Sequence, residues 1–111
     1  MVQKKEVYVN PAPIKNRVTE MTGVDYPIFQ APMGWIARAQ LASAVSNAGA
    51  MGIIETSSGD FEAIKGEVAK MHEMTDKPFG MNVALAFVKG TNVIDFVIEQ
   101  DIKFVTTSSG S

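Results

Sequence analysis

Apolar positions along this 111-residue chain fall into short runs separated by amphipathic stretches. Pro27 to Ala31 (PIFQA), Met51 to Glu55 (MGIIE), Phe79 to Ala84 (FGMNVA) and Lys103 to Thr107 (KFVTT) are too brief for helices and read as strands. Between them the spacing becomes helical. Ala37 to Ala48 carries Leu41, Ala44, Val45 and Ala48 on one face, with Gly49 placed as a left-handed cap. Phe61, Ile64, Val68 and Met71 mark a second helix, N-capped by Asp60 and ending before Asp76 and Pro78. Val93, Ile94, Val97 and Ile98 mark a third, with Thr91 as its N-cap. Upstream, Asn16 to Met21 has room for one polar turn before Gly23, and Asn10 to Pro13 is a proline-broken entry. The start, MVQKKEVYVN, is basic without the apolar segment of a secretory signal and reads as an extended arm.

Continuous apolar strands alternating with helices predict a parallel sheet with right-handed crossovers, in the order βαβαβαβ. Two architectures open this way, the doubly wound sheet and the eight-stranded barrel. The first calls for a Gly-x-Gly-x-x-Gly turn after its first strand, whereas APMGWIAR carries a single glycine. The reading is therefore α/β, the N-terminal half of a TIM (β/α)8 barrel, with residues 1–15 as an arm and 16–111 as the half-barrel. A full barrel takes about 250 residues, so four strands of eight are expected here.

Composition narrows the function classes. A formal net charge of −2, with Lys and Arg scattered along the chain, gives no footprint for nucleic acid or an anionic membrane. The absence of cysteine excludes a disulfide framework, a thiolate nucleophile and a cysteine zinc site. No apolar run approaches the roughly 20 residues needed to span a bilayer, and a cytoplasmic location is expected.

In a parallel α/β fold, chemistry gathers at the carboxyl ends of the strands. Those segments are Ala31 to Trp35, Glu55 to Gly59, Asn82 to Leu85 and Thr106 to Ser111, and on this reading no histidine, lysine or arginine lies close to them. Such a set binds a ligand without an obvious acid or base. Asn82 stands inside a strand, where asparagine is unfavourable; its amide is either satisfied by core backbone or fixed to meet a ligand's heteroatoms. Met33 offers a polarisable face and Gly34 a close backbone approach, against the alternative of an ordinary strand-to-helix turn. Glu55 is a candidate acid, with a solvated loop carboxylate as the other reading. His72, the single histidine, falls mid-helix on the outer layer, and the serines of TSSG and TTSSGS lack a nucleophile elbow.

NRVTEMTGVDYPIFQAPMGW, SNAGAMGII, TDKPFGMNVAL and KFVTTSSGS resemble, in that order, the N-terminal half of nitronate monooxygenases, formerly called 2-nitropropane dioxygenases. The flavin-dependent enoyl-acyl-carrier-protein reductases carry nearly the same blocks. The resemblance implies an FMN-binding TIM barrel, with Ala31, Pro32, Met33 and Gly34 along the flavin, Asn82 contacting FMN, and Thr107 in the substrate pocket. Many relatives have two glycines where this chain has Ala31 and Pro32. The family's catalytic histidine and phosphate-binding loops belong to the second half of the barrel, so no catalytic residue is assigned here. The implied partners are a nitronate with O2, or an enoyl thioester with NAD(P)H. The isolated chain is expected to be inactive and to hold FMN weakly. The competing expectation is a non-catalytic half-barrel that self-associates as a homo-oligomer through its open edges.

Overall fold

A computed structural model describes residues 10–88 and 90–110; most of the basic arm, residues 1–9, lies outside them. Two of the helices open on side-chain caps. α1 (Arg17–Thr22) opens with a capping box, in which Thr19 N–H donates to Asn16 Oδ1 at 2.9 Å and Asn16 N–H donates to Thr19 Oγ1 at 3.0 Å. Gly23 closes it in the left-handed conformation at φ 78°. α2 spans Ala39–Asn47, α3 Phe61–Met74 and α4 Asn92–Glu99. Asp60 caps α3 as expected, accepting from Ala63 N–H at 3.1 Å. Thr91 holds the cap position of α4 without a side-chain cap bond.

The strands β1 (Gly52–Ile54), β2 (Phe79–Ala84) and β3 (Phe104–Ser108) form a parallel sheet in sequential order. Ile54 is level with Met81, which is level with Val105. Ile54, Met81 and Val83 pack against Ala42 of α2, Ile64, Val68 and Met71 of α3, and Val93 and Val97 of α4. Crossover helices therefore cover one face only, as in the opening of a barrel and unlike a doubly wound sheet. Full burial of such side chains contributes on the order of 1.5–3 kcal/mol each.

The expected first strand, Pro27 to Ala31, is reduced to a bridge between Phe29 and Met51. Pro27 and Pro32 lack the N–H a ladder needs, so the backbone pairs only through Met51 N–H to Ile28 O at 2.9 Å and Gln30 N–H to Met51 O at 3.0 Å. The Gln30 amide then takes over: its Nε2 donates to Ile53 O at 3.0 Å and its Oε1 accepts from Ile53 N–H at 3.3 Å. A side chain continues the ladder while the backbone turns outward, and the chain returns at Ala37, whose carbonyl accepts from Glu55 N–H at 2.9 Å.

Two helix faces also differ from expectation. α2 buries Ala39, Ala42, Ser43 and Ser46, not the face of Leu41, Ala44, Val45 and Ala48. A Cβ on Gly52 would stand 2.0 Å from the Ala42 carbonyl oxygen, and Gly52 N–H donates to Ser46 Oγ at 3.1 Å. Helix and strand approach so closely that only small residues fit between them. On α4, Phe96 joins Val93 and Val97 inside, whereas Ile94 and Ile98 are exposed. Among the described residues, no helix is long and apolar enough to cross a membrane.

Candidate functional site

The face of the sheet away from the helices changes character along its length. Near the amino ends, Met51, Ile53 and Val24 form a second apolar cluster with Phe104, whose ring lies 5.1 Å from that of Phe29. Toward the carboxyl ends the same face turns polar. Asn82 is 3% exposed; its Nδ2 donates to Thr106 Oγ1 at 2.8 Å, and its Oδ1 accepts from Ser108 Oγ at 3.0 Å. Parallel register makes this possible, because Asn82 is level with Thr106 and Ala84 with Ser108. An asparagine held at both ends cannot rotate, yet its carbonyl oxygen keeps a second acceptor site.

Thr107 is level with Val83, a helix-side core residue, so the pleat directs it to the face opposite Asn82. Thr106 and Ser108 are the residues of β3 that join the amide. Behind Asn82, the buried Thr56 latches β1 to β2: its hydroxyl donates to Asn82 O at 2.8 Å and accepts from Ala84 N–H at 2.8 Å.

Ala31, Pro32, Met33 and Gly34 stand together on the turn at the end of the reduced first strand, all exposed. Met33 O accepts from Ala37 N–H at 2.8 Å and Ile36 N–H at 3.1 Å, closing the turn. Among the described residues, the N–H groups of Met33, Gly34 and Trp35 have no acceptor. Gly34 presses on the next loop, where a Cβ would come within 2.8 Å of Ser57 Oγ. No hydrogen bond joins this turn to Asn82 among the described residues.

Contrary to the expectation that no cation lies near a strand end, the returning chain carries Arg38 there. Arg38 Nε pairs with Glu55 Oε1 at 3.2 Å. Glu55 is not a solvated loop carboxylate; it is 1% exposed and also accepts from Ser57 Oγ at 3.1 Å and Ser58 N–H at 3.0 Å. Burial of a carboxylate demands such compensation. Arg38 Nη2 and Ser58 Oγ are buried with no partner among the described residues. The Arg38 guanidinium also lies 4.5 Å over the ring of Trp35, a cation–π contact.

Glu67 of α3 reaches across to cap α2, accepting Ala39 N–H at 3.0 Å. Burial alone would raise its pKa, but the Ala39 N–H, then Lys70 and Arg38, outweigh that and hold the carboxyl below its ordinary value. His72 is exposed on α3 and bonds Gln100, far from these strand ends. Sequence reasoning passed over Gln30 and Arg38, and it placed Thr56, Thr106 and Ser108 in the strand-end segments without singling them out. The signal in the sequence was the polar run Thr106, Thr107 and Ser108 at the end of β3, which the pleat divides between the two faces of the sheet.

The sequence profile described as nitronate monooxygenase matches residues 15–103. A (3aS,4S,5R,7aS)-5-hydroxy-7a-methyl-1-oxo-octahydro-1H-indene-4-carboxyl-CoA dehydrogenase from Mycobacterium tuberculosis is 30% identical over 90 residues, covering 81% of this chain and 25% of that protein. A nitronate monooxygenase from Pseudomonas aeruginosa is 38% identical over 68 residues, covering 61% of this chain and 19% of that one. Among solved structures, FabK from Thermotoga maritima superposes with a TM-score of 0.79 at 30% identity, covering 87% of this chain and 31% of FabK. The chain thus spans about a fifth to a third of the length of these proteins.

Proposed function

Because the chain belongs to the nitronate monooxygenase family, we propose that it forms the first part of an FMN-dependent oxidoreductase that oxidises alkyl nitronates with O2. Residues 16–111 supply one side of the flavin site, and turnover needs further strands to close the barrel.

The single observation that carries this reading is the fixed amide of Asn82, at the carboxyl end of the middle strand on the face free of helices. The donor set suits an isoalloxazine ring, whose edge carries both acceptors and a donor. The free N–H groups of Met33 and Gly34 would meet its acceptors, and the spare acceptor site of Asn82 its donor. Met33, 37% exposed, offers a polarisable side chain to a flat ring. When bound, FMN supplies the electron-transfer chemistry. This chain's residues bind and orient: the turn is held by its own hydrogen bonds and by Gly34 against Ser57, and the amide by Thr106 and Ser108. Neither Glu55 nor His72 is assigned a proton, since Glu55 is enclosed by its partners and His72 lies on the outer layer.

The test is the full-length gene product, purified and examined by visible absorption, then assayed for oxygen uptake with propyl-1-nitronate. Bound flavin with nitronate-dependent oxygen uptake supports the reading; a colourless product overturns it and leaves the self-associating half-barrel. A second reading, flavin-dependent reduction of an enoyl thioester by NAD(P)H, is favoured by the superposition on FabK. Bound flavin with NAD(P)H oxidation that depends on crotonyl thioester, and no nitronate activity, would select it.

A further inference from the structure

Trp35 is the one tryptophan of the chain, and it combines three unusual properties. Its backbone is left-handed at φ 65°, a region unfavourable for a bulky side chain and natural to glycine. Its side chain is 66% exposed at the carboxyl end of the sheet, beside the exposed Met33 and Ile36. One ring face is nevertheless backed by the Arg38 guanidinium at 4.5 Å, and that guanidinium is held by the buried Glu55 carboxylate at 3.2 Å. A strained backbone that presents a large aromatic ring outward, braced from behind by a half-buried arginine paired to a buried carboxylate, carries a local cost.

Resting on the flavin-site reading above, we infer that Trp35 is a specificity-determining wall. It stacks on a flat, apolar group attached to the reacting carbon of the substrate, and Glu55 is a positioning residue that sets the ring's pose through Arg38. Stacking on an open tryptophan face adds attraction for an aryl substituent that a short alkyl group cannot match. The Glu55 carboxylate matters because Arg38 has two tasks: its Nε is committed to Glu55, which fixes the guanidinium plane that Trp35 lies against. Glycine at position 35 would suit the backbone better, so the ring is held there at a local conformational cost.

The experiment uses the full-length protein with FMN and compares kcat/KM for phenylnitromethane nitronate against ethyl nitronate. The aryl-to-ethyl ratio is expected to fall about tenfold in Trp35→Gly, which relieves the backbone and so folds at least as well as the parent, and to stay within about threefold in Trp35→Phe, which keeps a ring. Glu55→Gln, which keeps the volume but frees Arg38, is expected to lower the ratio by about threefold and to shift the emission of Trp35, taken as the difference from Trp35→Phe. An unchanged ratio in Trp35→Gly overturns the wall; an unchanged ratio in Glu55→Gln overturns the bracing. A second readout needs no turnover: naphthalene-2-carboxylate should quench the Trp35 emission saturably, and iodide should reach that ring in its absence. An unquenched, iodide-shielded Trp35 overturns the inference even if flavin and nitronate activity are present. Conversely, quenching with bound flavin but no nitronate activity keeps the wall and removes the nitronate reading.

Discussion

The two faces of the sheet divide the work of this chain. On the helix side, Ile54, Met81 and Val83 meet Ile64, Val68 and Met71 in an apolar layer. On the other side, the apolar cluster of Met51, Ile53 and Val24 gives way to Asn82, Thr106 and Ser108, joined by hydrogen bonds across β2 and β3. Apolar contacts are interchangeable within the limits of volume, so the first face sets stability. A buried amide must have its partners in place, so the second face is specified by geometry. Strand alternation is what lets one residue, Asn82, serve the second face while its neighbours Met81 and Val83 serve the first.

The division is most open to attack where the effect is largest. Ile64→Ala removes a side chain 2% exposed from the helix-side layer and should cost about 2–5 kcal/mol, read as a lower denaturant midpoint. Flavin bound per folded molecule should not change; a loss of flavin beyond the loss of folded protein would show that the faces are not separable. Thr56→Val tests the seam between them. Valine keeps the shape but leaves Ala84 N–H and Asn82 O without the hydroxyl that each uses at 2.8 Å, for a cost of about 1–3 kcal/mol by thermal denaturation. Asn82→Leu sharpens the comparison on the other face. Its stability cost should be smaller, about 1–2 kcal/mol, because the half-buried Thr106 and Ser108 hydroxyls can turn to water. Its flavin affinity, followed by titration of the full-length apoprotein, should fall about tenfold; unaltered affinity would return Asn82 to a purely structural role.

How far the sequence was legible follows the same division. β2 and the buried face of α3 could be read from apolar spacing alone, because the helix-side core needs only the right period and a cap at Asp60. α2 was placed, but its inner face was misjudged: proximity to Gly52 selects alanine and serine there, and hydropathy ranks small residues low. The first strand was overestimated because apolar character does not reveal that Pro27 and Pro32 lack ladder donors, nor that the Gln30 side chain would stand in for them. Asn82 stood out because a single polar residue inside an apolar strand is conspicuous. Its partners did not, since threonine and serine are ordinary in β3 and only the register with β2 shows which of them face it. The Arg38–Glu55 pair was hidden for a similar reason: it forms only when the turn after Ala31 folds back along β1.

The smallest expected effect tests whether the helix-side layer is as free of electrostatics as its apolar centre implies. At its margin, α2 has no cap from its own Arg38 and borrows one from α3, where Glu67 accepts the Ala39 N–H. The carboxyl is held below its ordinary value, so the folded state favours the charged form. For a depressed carboxylate the stabilisation is fully present above the unfolded pKa and is lost as pH falls through the lower, folded one. Glu67→Gln should therefore lower stability at neutral pH by about 0.5–1 kcal/mol, the range of a helix cap. The difference from the parent should narrow as the pH drops below about 4.5, where unfolded glutamate protonates, and close once Glu67 itself is protonated in the folded chain. Urea denaturation of both proteins across that interval reads it directly. A gap that persisted in acid would assign the loss to the amide NH2 group replacing an acceptor oxygen, and one that was absent at neutral pH would mean that the small-residue face of α2 against Gly52 holds the helix without Glu67.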